Sequence, residues 1–182
     1  MKATGVVRRI DDLGRVVIPK EIRKTLRIKE GDPLEIFTNR EELVFKKFSP
    51  MASSISGVKQ ITDKLSQILG RESFVFDTDK IICVSDSKNK EIIGVIMSDE
   101  MSKKLRERKT FILSNGDGVD TIKLYRGDEN QYENQIIIPI LSNGDLLGGI
   151  VVYDKDRVKR FTDIDEKILS LASSFISTQF EY

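Results

Sequence analysis

Apolar residues in the first fifty positions come in pairs and triplets separated by charge, such as Val6-Val7 and Val16-Val17-Ile18. Val6, Arg8 and Ile10 alternate with Val7 and Arg9, a period of two that predicts a strand. Asp11-Asp12-Leu13-Gly14 interrupts it and predicts a turn, with Gly14 free to take a positive φ. The β-branched run Val16–Ile18 predicts a second strand. Pro19 then predicts the start of a helix of about two turns, as proline does at a first helical position. Ile22 and Leu26 fall on one face of that helix, and Arg23, Lys24 and Arg27 point elsewhere. Gly31-Asp32 reads as a turn, and Leu34–Thr38 with Leu43–Phe48 as a closing hairpin.

FSPMASSISG (Phe48–Gly57) carries a proline, a glycine and several serines, and predicts a joint between two parts. The expected layout is 1–50 as one domain, 51–57 as a linker or helix start, and 58–182 as a second domain. Met51, Ile55, Val58, Thr62, Leu65 and Leu69 fit an a/d spacing and predict a helix, weakened at its start by Gly57. Phe74–Asp77 and Ile81–Val84 predict a hairpin around Thr78-Asp79, and Ser98–Arg108 a polar helix. Strands follow near Phe111–Leu113, Thr121–Leu124, Gln135–Leu141 and Leu146–Tyr153. ILSNGD occurs twice, at Ile112–Asp117 and Ile140–Asp145, and Asn-Gly at both places predicts hairpin turns. Thr162 and Asp165 form a capping-box-like start for a last helix, whose Ile164, Ile168, Leu171, Phe175 and Ile176 are expected on one stripe. The fold class expected is α+β: a β-rich first domain, then a central antiparallel sheet flanked by helices.

Size changes the reading of the first part. About 48 residues is close to the limit at which a single core is marginal. Val6, Val7, Val16, Val17 and Ile18 nevertheless put apolar groups on both faces of their strands. Two interlocked copies would bury both faces, so a homodimer is expected.

Composition removes several classes of chemistry. The chain of 182 residues contains no histidine and one cysteine, Cys83. Histidine-based triads, proton shuttles and His-ligated zinc therefore lack their central group. No intrachain disulfide is available, which suits a reducing cytoplasm. No apolar run approaches the ~18 residues that cross a bilayer, and MKATGVVRR has no signal-peptide core. Neither phosphate-binding nor dinucleotide-binding glycine motifs occur. The carboxylate pairs Asp11/Asp12, Asp77/Asp79 and Asp154/Asp156 each fall in an expected turn, where Asp bonds locally. Cys83 lies in the apolar run IICVS and reads as a small buried hydrophobe. Lys155, Arg157, Lys159 and Arg160 read as a solvated loop. No catalytic or metal site is expected.

Charge is unevenly placed. The net of +1 conceals 12 Lys/Arg against 8 Asp/Glu in 1–50, and 18 against 21 in 51–182. Within the first 29 residues the count is 9 against 3. Localised cations suit a polyanion. Arg8 and Arg9 end the first expected strand, Arg15 starts the second, and Arg23 and Lys24 lie on the helix. On one surface, doubled by a two-fold axis, these arginines suit phosphates and guanine edges of double-stranded DNA.

VVRRIDDLGRVVIPKEIRKTLRIKEGDPLEIF closely resembles the swapped-hairpin DNA-binding domain of AbrB-type transition-state regulators, over about residues 1–50. FTDIDEKILSLASSFISTQ is similar to the terminal helix of a GAF domain, and the order of elements in 58–182 fits one. The two-part layout resembles regulators of late, forespore-specific transcription in spore-forming bacteria. The resemblance implies a cytoplasmic regulator that activates and represses, contacting deformable, often AT-rich DNA through Arg8, Arg9, Arg15, Arg23 and Lys24. Lysine at 24, where the family often has arginine, keeps charge but loses the planar fork, and favours a phosphate contact. GAF helices would pair dimers into a homotetramer. No resident cofactor is implied, and a small-molecule ligand of the GAF unit is left open. Two other readings compete. Swapped-hairpin domains also serve antitoxins that sequester a protein partner, but those chains usually end in a disordered tail. A GAF-type methionine-sulfoxide reductase needs several cysteines, and this chain has one.

Overall fold

The computed structural model describes residues 5–115, 120–155 and 159–180. The chain divides into two compact units, Met1–Phe48 and Ser49–Tyr182.

The first unit holds one short helix, α1 (Lys20–Leu26), and one hairpin, β1 (Leu34–Asn39) with β2 (Glu42–Lys47). Pro19 precedes the helix, and Arg27 closes it in the left-handed conformation (φ 54°), with the Ile28 N–H bonded to the Arg23 carbonyl at 2.8 Å. The Phe48 N–H bonds back to the Pro33 carbonyl at 3.0 Å and fastens the hairpin's ends. The expected strands around Val6–Ile10 and Val16–Ile18 are not formed. Both segments are irregular, joined by the turn at Asp11–Gly14, where Gly14 has φ 75°. A strand exists by its ladder, and among the described residues neither arm is laddered to β1, to β2 or to the other arm.

Burial explains the same fact from the other side. Pro19 alone is buried among the described residues of this unit. Twelve of the nineteen exposed large apolar side chains lie here, including Val7, Ile10, Leu13, Val17, Leu26 and Leu43. Each gains about 1.5–3 kcal/mol when fully buried, so the surface left in water is worth on the order of 20 kcal/mol.

The second unit is built on a five-stranded antiparallel sheet in the order β4-β3-β7-β6-β5. Its strands are β3 (Glu72–Asp77), β4 (Ile81–Val84), β5 (Phe111–Ser114), β6 (Asn134–Ser142) and β7 (Asp145–Asp154). One face carries α2 (Pro50–Ser53), α3 (Ile55–Leu69) and α5 (Asp163–Thr178), which pack Met51, Val58, Leu65, Leu169 and Ile176 on Ile138, Ile150 and Val152. The other face is covered by α4 (Asp99–Arg106) and the segments around it, through Met101, Leu105, Met97, Leu124 and Tyr132. Phe74, Tyr132 and Tyr153 fill this side, with ring centroids 4.9 Å apart for Phe74–Tyr153 and Tyr132–Tyr153. The expected α+β arrangement, a central antiparallel sheet flanked by helices, is present. No helix among the described residues is long and apolar enough to cross a membrane.

Most local signals act as read. Thr162 and Asp165 form a reciprocal capping box. Asn143 (φ 49°) and Gly144 (φ 85°) make the β6–β7 turn, as Asn-Gly demands. The earlier expected turn at Asn115-Gly116 falls on Gly116 and Asp117, which lie outside the described residues. Thr121–Leu124, expected as a strand, is irregular. The Gln135 side chain bonds both the N–H and the carbonyl of Ile122, at 2.9 and 2.7 Å, and so takes the place of a neighbouring strand. The a/d run breaks at Ser54 into α2 and α3, and Met51, Val58, Thr62 and Leu65 are buried as its spacing requires. On α5 the expected stripe holds at Ile168 and Ile176, which pack on the core, and fails at its other three positions. Leu169, Ala172, Ser173 and Ile176 face the sheet, whereas Ile164, Leu171 and Phe175 are exposed, Leu171 by 73%. Apolar side chains on both faces of one helix leave periodicity unable to choose the buried one.

Candidate nucleic-acid interface

All five cations expected at the site, Arg8, Arg9, Arg15, Arg23 and Lys24, are exposed. Arg8 and Arg9 lie on the arm before the turn, Arg15 just after it, and Arg23 and Lys24 on α1. No hydrogen bond or ion pair joins the five to one another among the described residues.

The turn between the arms is organised by Asp11. Its Oδ1 accepts the N–H of Leu13 (3.0 Å) and of Arg15 (2.7 Å). Its Oδ2 accepts the Arg15 Nε–H at 2.8 Å. The Asp11 N–H bonds the Arg15 carbonyl at 3.1 Å, and the Gly14 N–H bonds the Asp11 carbonyl at 3.0 Å. These donors, first the Arg15 backbone and then its guanidinium, hold the Asp11 carboxyl below its ordinary range. The side-chain clasp engages the Nε edge of Arg15 and not its terminal nitrogens. Sequence reasoning assigned Asp11 to a turn and missed this grip; its signal was an acid four residues before an arginine.

Elsewhere the carboxylates do structural work. Asp77 Oδ1 accepts the N–H of Asp79 and of Lys80, both at 2.8 Å, and closes the β3–β4 turn. Asp154 is not in a turn: it ends β7 and pairs with buried Arg71 at 3.3 Å. Asp156 and Arg157 lie outside the described residues. Of their neighbours, Lys155 stands 5.8 Å from the Tyr153 ring centroid and Lys159 offers its carbonyl to Arg71 at 2.6 Å.

Cys83 is buried on β4, its Sγ 3.2 Å from Thr62 Oγ1. Burial pushes its thiol up to about 11 from an ordinary 9.0. Below about pH 9 the neutral thiol favours the folded state, and that contribution is lost as pH rises toward 11. Since the thiolate is the nucleophile, native protein should alkylate at least about a hundredfold more slowly than unfolded protein at neutral pH. Mass-spectrometric timing of iodoacetamide labelling checks this.

The comparisons with known proteins divide the chain in the same way. Residues 56–181 match the family model described as "Stage V sporulation protein T C-terminal, transcription factor". Residues 7–47 match "Antidote-toxin recognition MazE, bacterial antitoxin". The chain is 40% identical over 182 residues, 100% of it and 99% of the relative, to stage V sporulation protein T of Bacillus subtilis (strain 168). It is 45% identical over 71 residues, 38% of it and 72% of the relative, to the transition state regulatory protein AbrB of the same organism. Among solved structures, the GAF domain of an Acinetobacter phosphoenolpyruvate-protein phosphotransferase aligns with a TM-score of 0.57 at 13% identity, covering 70% of this chain and 86% of that one. The cofactor-binding GAF domain of the nutrient sensor CodY from Clostridium difficile aligns at 0.51 with 18% identity, covering 67% and 83%. These likenesses show that the second unit has the GAF fold. This chain, matched from end to end by one relative and over most of its length by one family model, belongs to the stage V sporulation protein T family of transcription factors.

Proposed function

We propose that this protein is a DNA-binding regulator that activates and represses late, forespore-specific sporulation genes. Residues 1–50 form the DNA-gripping domain, 51–57 lead into the first helices, and 58–182 form the GAF-like regulatory domain. Two copies interlock through the arms at 5–10 and 15–19, complete each other's sheet, and present Arg8, Arg9, Arg15, Arg23 and Lys24 in duplicate to deformable, AT-rich duplex. The observation that carries this is the combination, among the described residues of one small unit, of twelve exposed large apolar side chains with the exposed cations Arg8, Arg9, Arg15, Arg23 and Lys24. The first set needs a second copy to be stable in water, and the second needs a polyanion. The full-length identity to a sporulation regulator supports the biological setting, and the chain works where its DNA is, in the cytoplasm of the forming spore.

Antitoxin action is the weaker reading. The family match over 7–47 is shared by its fold, but a folded GAF unit follows here. An enzymatic reading finds little support, because the one thiol is buried and held protonated.

Salt titration of binding to a fixed operator duplex tests the proposal. With roughly six phosphates neutralised, log K should fall against log [salt] with a slope of about −5. A flat line, or no retention at low salt, overturns it.

Tetramers follow from α5. Ile164, Leu171 and Phe175 are exposed on its outward side, in a/d spacing with Ile168, which packs at the edge of its own core. Leu171→Asp with Phe175→Asp should halve the solution mass in light scattering, from four chains to two. An unchanged mass removes the seam from the assembly.

A further inference from the structure

The second unit carries a concentrated cation patch of its own. Residues 103–109, KKLRERK, hold five cations and one acid. Without them, residues 51–182 would count 13 Lys/Arg against 20 Asp/Glu. Seven positions at and just beyond the end of α4 thus carry a net excess of four cations in an otherwise acidic unit.

Local stability does not account for this crowding. Cations favour the last turn of a helix, which suits Lys103, Lys104 and Arg106, but Arg108 and Lys109 lie beyond it. Like charges three and four positions apart on a helix repel and so destabilise it. Lys104 and Lys109 lie 4.1 and 5.4 Å from the Phe111 ring centroid, Arg108 bonds the Gly144 carbonyl at 2.7 Å, and Arg106 donates to the Ser102 hydroxyl at 3.4 Å. Lys103, Arg106 and Lys109 are exposed, and the only carboxylate paired to any of the five among the described residues is Glu107, 2.9 Å from Lys109. Glu107 itself reports the field. Its carboxyl is held below the ordinary range, first by the hydrogen bond from Lys109 and then by the charges of Lys109, Lys104 and Lys103.

Position matters as much as charge. α4 covers the sheet face opposite α3 and α5. Copies that pair through the α5 seam therefore leave this patch in solvent.

We propose that Lys103, Arg106 and Lys109 form a second, sequence-independent contact with DNA phosphates, additional to the amino-terminal grip. This rests on the chain being a DNA-binding regulator. A tethered second contact acts at high effective concentration and adds affinity without base readout.

The test compares full-length wild type, K103Q/R106Q/K109Q, and the charge-keeping K103R/R106K/K109R on one duplex over a salt series. Removing three phosphate contacts should make the slope shallower by about 2 to 3 and lower affinity at low salt at least about tenfold, with the melting temperature unchanged. The charge-keeping variant should retain the wild-type slope. A glutamine variant that folds and matches the wild-type slope overturns the second contact alone, and so does loss in both variants, which makes the effect one of shape rather than charge. Wild-type protein with no salt-dependent binding overturns the DNA-binding reading itself, and the patch's role with it. A patch that serves another polyanion, such as RNA, shows as unchanged duplex binding and also overturns the inference.

Discussion

Turning Arg8, Arg15 and Arg23 to glutamate together should lower DNA affinity at least about a thousandfold at moderate salt, a loss of about 4 kcal/mol. Each bidentate contact is worth about 1–3 kcal/mol, and a dimer presents every arginine twice. Reversal also replaces attraction by repulsion at phosphates, so it costs more than deletion. All three side chains are exposed, and Arg23 and Arg8 have no carboxylate partner among the described residues, so folding should survive. Arg15 is the exception: a glutamate there would face Asp11 and loosen the turn. Arg15→Gln, which keeps a donor for Asp11, separates the two effects. Fluorescence anisotropy on labelled duplex, with a melt of each variant, checks the outcome. Retention at wild-type strength would remove these residues from the interface.

Gly148→Ala should be the most damaging single change in the second unit. Gly148 lies on β7 opposite Asp77, where a Cβ would overlap the Phe76 carbonyl oxygen and the Met51 Cε, and would sit 2.9 Å from the Asp77 Cα. Two of these obstacles are backbone atoms of a hydrogen-bonded strand, which cannot turn aside as a side chain does. A loss of about 3 kcal/mol or more, seen as a fall of about 10 °C in melting temperature, is expected. Gly149→Ala provides the contrast. There a Cβ meets chiefly Leu105 Cδ1, the end of a side chain able to rotate, with the Ile138 carbonyl at 3.0 Å. Its cost should be smaller. Equal melts for the two would mean that β7 shifts freely, against the close approach seen here.

This glycine pair also marks the limit of reading a chain by its letters. Gly148-Gly149 lies inside the apolar run Leu146–Tyr153, and nothing nearby in sequence announces Met51, nearly a hundred positions away, resting against it. Met51 itself was placed correctly on a helix by its spacing to Val58 and Leu65, since that spacing is local. The same division runs through the proposed interface. The Asp11–Gly14 turn and the helix after Pro19 depend on φ preferences and side-chain caps within a few residues, and both were legible. That Asp11 grips Arg15 by three hydrogen bonds was not, because a turn signal says where the chain reverses and not which groups meet.

The sequence by itself determined the punctuation of this protein: its turns, its caps, its two-part division, its lack of histidine chemistry and the gathering of arginines at its start. Those follow from short-range sterics, hydrogen bonds and composition. Only the tertiary structure decided which apolar stripes are core. Among the described residues the arms at 5–19 join no strand of their own unit, and α5 turns Leu169 and Ile176 inward while leaving Leu171 and Phe175 to solvent. The hydrophobic effect rewards burial without specifying against what, so a partner strand or a facing helix has to be located in space before a stripe can be assigned.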